Sequence, residues 1–205
     1  MRVLPSGSTA LLVELDDLDA VMALHATLLD ERPAGVVEMV PAARTLLLVL
    51  DPSTTSPAVV ERAVREVRPR SGSRAVGPVV EVAVTYDGAD LSTTAAALGC
   101  DTAEVVRRHT AAEWTVAFCG FTAGFGYLTS PAWPYDLPRR ATPRTSVPAG
   151  SVALAGGFSG VYPTSSPGGW QLVGRTPVAV FDPARDPAAL LRPGSRVRFL
   201  EGGRG

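Results

Sequence analysis

Four arginines in the C-terminal half are the residues best suited to chemistry. Between Trp114 and Phe181 stand Arg139, Arg140, Arg144 and Arg175, against one acidic residue, Asp136. A guanidinium donates two parallel hydrogen bonds in one plane, a geometry that fits a carboxylate or a phosphate. These arginines lie among glycine, proline and aromatic residues and not along a helix face. That setting points to an anion site; solvated turns, or pairing with acids elsewhere in the chain, is the plainer alternative.

The stretch FSGVYPTSSPGGWQLVGRTP, residues 158–177, carries the last of the four. Its glycines and prolines ask for a loop, while Tyr162, Trp170, Val161, Leu172 and Val173 are costly to leave in water. We read it as the wall of a site, with Arg175 following the strand WQLVG as an anion donor. FCGFTAGFGYL, residues 118–128, interleaves glycine with phenylalanine and tyrosine. Its spacing fits neither a P-loop nor the dinucleotide fingerprint, so it reads as a tightly bent strand pair.

Other chemistries fare worse. The chain has no lysine, which excludes a Schiff-base lysine, a P-loop lysine and a Ser–Lys dyad. His109 follows Val105 and Val106 on the apolar side of a helix, where a lone histidine is usually a hydrogen-bonded core residue. A proton-transfer role would need converging polar partners. His25 reads as packing or surface. Gly157-Phe158-Ser159-Gly160 is no nucleophile elbow, because Val161 stands where G-x-S-x-G needs glycine. A Ser159–His109 pair would take a coincidence of folding. Cys100 and Cys119 form no CxxC, and two histidines add no metal-ligand spacing, so no metal site is expected. ALGCDTAEVVRRHT reads as an ordinary glycine-capped helix pair and not a DNA-reading unit, since the chain carries a formal net charge of -1.

The elements that must position these residues follow from periodicity. STALLVEL predicts a strand and DDLDAVMALHATLLDE a helix with Leu18, Val21, Met22, Leu28 and Leu29 on one face. GVVEMV and RTLLLVLD predict two strands, and PAVVERAVREV a helix with Val59, Val60, Ala63, Val64 and Val67 inward. The order β-α-β-β-α suits a small α+β domain of ferredoxin-like type over residues 1–75. Residues 68–78 read as a linker. VVEVAVTY predicts a strand, LSTTAAAL and TAEVVRRHTAAE two short helices. WTVAF, SVALAG, WQLVG, VAVF and VRFL then predict a mainly β barrel or sandwich domain over residues 79–200.

With 205 residues, 46% hydrophobic and 19% charged, the chain can bury a core, and its cysteine usage suits a reducing compartment. Near-neutral charge gives no field for nucleic acid or anionic membrane, no apolar run reaches a membrane span, and no signal peptide is visible. A cytoplasmic protein is expected.

GFTAGFGYL, LPRRATPRTSVPAGSVALAGG and GVYPTSSPGGWQLVGRTPVAVFDP together resemble the B subunit of prokaryotic 5-oxoprolinase. The family is also called allophanate hydrolase subunit 1, includes the Kip inhibitor of a sporulation kinase, and resembles half of the carboxyltransferase domain of urea carboxylase. The likeness runs from about Tyr86 to Phe199, with weaker motifs before it. It implies that the second domain is a cyclophilin-like β-barrel. It also implies work with a C subunit of related fold and an A subunit, in the ATP-dependent hydrolytic opening of 5-oxoproline to L-glutamate. ATP would be a co-substrate held mainly by a partner, and the chain would be inactive alone. The family pattern falls on His109, Arg139, Arg140, Arg144, Tyr162, Trp170, Gln171 and Arg175. His109 and Arg175 would be catalytic and the others substrate- or anion-binding. Ala123 and Phe158 depart from the family's usual proline and glutamine. An allophanate or urea-derivative hydrolase or carboxyltransferase, or a non-catalytic histidine-kinase inhibitor, are the alternatives the resemblance leaves.

Overall fold

Leu46, Leu48 and Leu50 are buried while the residues between them are half covered, the period of two that makes one face of a strand apolar. The computed structural model describes residues 1–69 and 77–202. The chain divides into two units, Met1–Ala75 and Val76–Gly205.

In the first unit the order is β1 (Arg2–Pro5), β2 (Ala10–Glu14), α1 (Leu18–Asp30), β3 (Val36–Pro41), β4 (Thr45–Leu50) and α2 (Pro57–Glu66). The strands pair antiparallel in the order β1-β2-β4-β3. Asp17 caps α1 by accepting the Ala20 amide at 2.8 Å. Pro57 opens α2, where its missing N–H would have had no partner anyway. Val21, Leu24 and Leu28 of α1 and Val60 and Val64 of α2 pack on Leu11, Val13, Leu46 and Leu48 of the sheet. Two sequence expectations shift. Periodicity puts Leu29 and Val59 on buried faces, yet both are exposed, and Leu24 takes the inward position. β1 is unexpected: four partly covered residues ending in proline carry too little alternation to read.

The second unit contains β5 (Val79–Val84), α3 (Leu91–Ala97), α4 (Thr102–Ala111), β6 (Trp114–Cys119), β7 (Gly126–Thr129), β8 (Arg144–Val147), β9 (Ser151–Ala155), β10 (Phe158–Val161), β11 (Ser166–Gly168), β12 (Gln171–Arg175) and β13 (Arg196–Glu201). Seven strands form one sheet in the order β12-β9-β10-β7-β6-β13-β5, and β11 and β8 make a separate ribbon. Among the described strands only β13 and β5 run parallel. Thr85 and Arg175 exchange backbone hydrogen bonds of 2.8 and 2.9 Å just beyond β5 and within β12, the two edge strands. The sheet therefore nearly closes on itself as a barrel, which leaves few unpaired edges. Trp114, Leu128, Leu154, Val173 and Phe199 fill its interior.

Residues 118–128 are the end of β6, a turn and the start of β7, with Cys119 opposite Gly126. The VAVF strand is corrected: residues 178–181 lie outside any strand and make a single bridge, Phe181 to Ala189. Proline at 177 and 183 leaves little room for a paired run. The expected linker, residues 68–78, falls mostly on 70–76, which lie outside the described residues.

Candidate functional site

The arginine cluster is organised by a residue that the sequence reading passes over. Asp90 sits at the N-cap of α3, yet its side chain caps nothing. Its Oδ1 accepts from Arg140 Nη1 at 2.7 Å and from Arg144 Nη2 at 2.9 Å. Its Oδ2 accepts the Leu172 amide at 2.8 Å, while its own amide donates to the Leu172 carbonyl at 2.9 Å. The Asp90 side chain is 3% exposed, against 36% for Arg140 and 22% for Arg144. Burial alone would raise the carboxyl's pKa. The Arg144 hydrogen bond, the Leu172 amide and the charges of Arg144 and Arg140 outweigh it and hold the group below its ordinary value. One carboxylate thus faces two guanidinium ions, and one positive charge is left over. Arg140 Nε, Arg144 Nη1 and Gln171 Oε1 are buried with no hydrogen-bond partner among the described residues. Gln171 Nε2 donates to the Pro138 carbonyl at 2.9 Å, which ties β12 to the segment carrying Arg139 and Arg140.

Beside this pair lies an aromatic wall. Phe125, Tyr162, Trp170, Leu172, Tyr127 and Phe158 form one packed cluster. Phe125 meets Tyr162 and Trp170 edge-on, with ring centres 5.3 Å apart in each case. The Trp170 backbone faces the Tyr162 hydroxyl and works against the rise in its pKa that burial causes. A side chain at Gly168 would strike that hydroxyl, so the close pass of β11 demands glycine. Burial raises the pKa of Tyr162, and the charges of Arg139 and Arg144 pull it back; Arg139 acts in the same sense on Tyr127. Arg139 itself is exposed. The structure therefore gathers Arg139, Arg140, Arg144, Tyr162, Trp170 and Gln171 around β12 and the 138–144 segment. A carboxylate or phosphate with an apolar body is the ligand such a place can hold.

His109 stands elsewhere. It is fully buried in the barrel, stacked on Phe199 at 4.3 Å between ring centres and packed against Trp114 and Trp133. Its Nδ1 lies 2.7 Å from the Tyr86 hydroxyl and its Nε2 lies 2.9 Å from Ser159 Oγ. In either tautomer one nitrogen donates and the other accepts, so both hydroxyls are satisfied. Burial lowers the imidazole's pKa to about 3. The Ser159–His109 pairing does occur, then, but both residues have no exposed surface for a substrate to reach. Arg175 is 70% exposed and its Nε pairs with Asp87 at 2.8 Å. It lines a cleft of about 950 Å³ with Tyr86, Arg107, Thr102 and Glu201, and neither Asp90 nor the arginines moored to it reach that lining. The two residues expected as catalytic thus do not share one exposed site with the arginine pair.

Asp90 and Tyr86 carry no signal in the sequence. An aspartate before LSTTAAAL reads locally as a helix cap; its partners lie 50 and 54 residues away. Among the described residues no group of three or more His, Cys, Asp and Glu could hold a metal ion. None of the described helices is long and apolar enough to cross a membrane.

The comparisons with known proteins agree with this architecture. The sequence model described as carboxyltransferase domain, subdomain C and D, matches residues 1–191. The chain is 39% identical over 204 residues to the B subunit of 5-oxoprolinase from Escherichia coli O157:H7, covering 95% of this chain and 93% of that protein. It is 34% identical to the Bacillus subtilis (strain 168) protein of the same name, covering 95% and 90%. Among solved structures, TTHA0988 superposes with a TM-score of 0.76 at 38% identity, covering 96% of this chain and 40% of that one. This chain thus spans less than half the length of TTHA0988. The urea carboxylase of Kluyveromyces lactis shares the fold at a TM-score of 0.76 and 19% identity, covering 99% of this chain and 23% of that one. The chain belongs to the carboxyltransferase-domain family of subdomains C and D, which its match over residues 1–191 establishes.

Proposed function

We propose that this chain is the B subunit of a multi-subunit 5-oxoprolinase, which opens 5-oxoproline to L-glutamate by ATP-dependent hydrolysis together with A and C subunits in the cytoplasm. Two relatives named as the B subunit of 5-oxoprolinase, alike over 95% of this chain, support the reading. We read the first unit, residues 1–75, as a ferredoxin-like domain and the second, residues 79–200, as a cyclophilin-like barrel.

The observation that carries the site is the arginine pair on Asp90, with its unbalanced positive charge beside Tyr162 and Trp170. A five-membered lactam bearing one carboxylate presents an anion and a compact apolar ring. The carboxylate suits Arg144, Arg140 and Arg139; the ring suits Trp170 and Tyr162; Gln171 holds the arginine-bearing segment in place. A lactam is a poor electrophile, and phosphorylation of its oxygen by ATP makes the carbonyl carbon open to water. One water adds to that carbon, the C–N bond breaks as the nitrogen takes a proton, and a second water releases phosphate from the acyl phosphate that is left. Arginines stabilise such charge as it develops. With neither lysine nor a P-loop in the chain, ATP is assigned mainly to a partner. His109 is assigned to the barrel core and not to proton transfer, because its ring meets no solvent. Arg175 is assigned to the neighbouring cleft.

Reconstitution with A and C subunits tests the reading. ADP should form only when 5-oxoproline and all three chains are present, and Arg144→Ala should cut kcat/KM by about 100-fold, the scale of a lost charge-assisted pair. A folded three-chain complex that ignores 5-oxoproline but hydrolyses allophanate would overturn the substrate. One that acts on neither, while this chain alone inhibits a histidine kinase, would overturn the enzyme.

A further inference from the structure

We propose that Asp90 is a positioning residue: it fixes Arg140 and Arg144 in the geometry that receives the substrate anion. The inference rests on the function proposed above and extends it to a residue that touches no substrate.

Asp90 lacks the bond that its position would ordinarily give it. An aspartate at a helix N-cap usually accepts a backbone N–H of the first turn. The side chain of Asp90 makes no such bond to α3, unlike Asp101, which accepts the Glu104 amide at 2.7 Å before α4. Its carboxylate is diverted to two cations. The diversion is rigid, because amide and carboxylate both grip Leu172, whose neighbours Trp170 and Gln171 belong to the candidate site. A side chain at Gly88 would collide with the backbone of Leu172 and Val173, so residues 87–91 are held flat against β12. Asp90 is in effect a fixed post, and two long, flexible guanidinium arms are moored to it from the loop before β8 and from β8 itself.

Two guanidinium ions side by side repel, and without a shared anion they spread into solvent. The mooring uses Nη1 of Arg140 and Nη2 of Arg144, and leaves Nε of Arg140 and Nη1 of Arg144 without partners among the described residues. Fixing one edge of each fork aims the other edge. A catalytic group misplaced by about 1 Å can cost roughly 100-fold in rate, so the carboxylate acts on substrate through the arginines it holds.

The test compares Asp90→Asn and Asp90→Glu in this chain, alone and reconstituted with A and C subunits. In the chain alone, NMR of the arginine side chains should show two hydrogen-bonded guanidinium groups with slowed rotation, and Asp90→Asn should free both. In the complex, Asp90→Asn should raise KM for 5-oxoproline by about 10-fold or more with KM for ATP unchanged, and Asp90→Glu should recover part of the loss. In an Arg140→Ala/Arg144→Ala background, Asp90→Asn should add less than about 2-fold, as for groups that act as a unit. A KM for 5-oxoproline within about 2-fold of the parent, or an undiminished effect without the arginines, overturns the proposal. So does failure of both Asp90 variants to fold, since that outcome assigns the residue to folding. If the parent complex does not turn over 5-oxoproline while the guanidinium signals still depend on Asp90, the mooring stands and the substrate reading falls.

Discussion

Burial decides what the imidazole of His109 can do. Its neighbours Phe199, Trp114 and Trp133 exclude water, and both ring nitrogens are occupied by hydroxyls. Its pKa is lowered from 6.5 to about 3 by desolvation. Between those two values the unfolded chain takes up a proton that the folded chain refuses. Stability is therefore complete above pH 6.5 and is lost as pH falls toward 3, by up to about 1.4 kcal/mol per pH unit. Between pH 7 and pH 5 this residue should cost the protein about 2 kcal/mol. Urea unfolding of the chain and of His109→Gln at both pH values checks this: the variant, less stable at pH 7, should lose about 2 kcal/mol less on acidification. Equal losses would mean that the ring protonates in the fold. The same burial explains why an apolar helix face identifies His109 as core while its partner Tyr86 stays invisible and its pairing with Ser159 reads only as a coincidence of folding. Ser159 and Tyr86 arrive from β10 and from beyond β5, and no local spacing connects them.

At the scale of elements, the turn between β6 and β7 holds Phe121, the one non-glycine residue at positive φ among the described residues. Thr122 N donates to Gly120 O at 2.8 Å, closing a three-residue turn around Phe121, whose φ is 69°. Such a turn is rare and costly for a side chain with bulk. Phe121 is also 60% exposed, with its ring edge-on to Phe125 and Tyr162. Glycine adopts this φ freely and alanine does not. Phe121→Gly should therefore be more stable than Phe121→Ala by about 1 kcal/mol, the reverse of their usual order within strands. Denaturant midpoints of the two variants decide the matter; alanine at or above glycine would show the turn to be unstrained. The strands themselves are legible in sequence because alternation and a period near 3.6 need only neighbours along the chain. Gly120, Gly124 and Gly126 signal the bend between β6 and β7. Phe121 at positive φ carries no such signal, since nothing in its own type asks for it. VAVF misleads because its apolar run serves packing around Val180 and a single bridge, with prolines on either side.

At the scale of the whole molecule, charge is nearly balanced and yet unevenly spread. The chain has a formal net charge of -1, and one acidic residue lies between Trp114 and Phe181. That imbalance is legible in composition and points to the right segment. The acid that organises it, Asp90, lies well before the segment and is joined to it only by the fold. Consequences for binding follow. A net charge near zero gives no long-range field to draw an anion in, so salt can act only on the local cluster. Arg139 is the exposed member, and exposed charges are screened most, with a Debye length near 10 Å at about 0.1 M and near 3 Å at about 1 M. Arg140 and Arg144 are partly covered and share a buried counter-ion, so salt reaches them less. In the reconstituted complex, raising sodium chloride from about 0.05 to 0.5 M should raise KM for 5-oxoproline about 2- to 4-fold and leave kcat unchanged. Arg139→Gln should start from a higher KM and lose most of that salt response, whereas substituting Arg175, in the separate cleft, should keep it. A steep response that persists in Arg139→Gln would place the anion on the covered pair alone, and a response lost with Arg175 would move the anion site into the cleft.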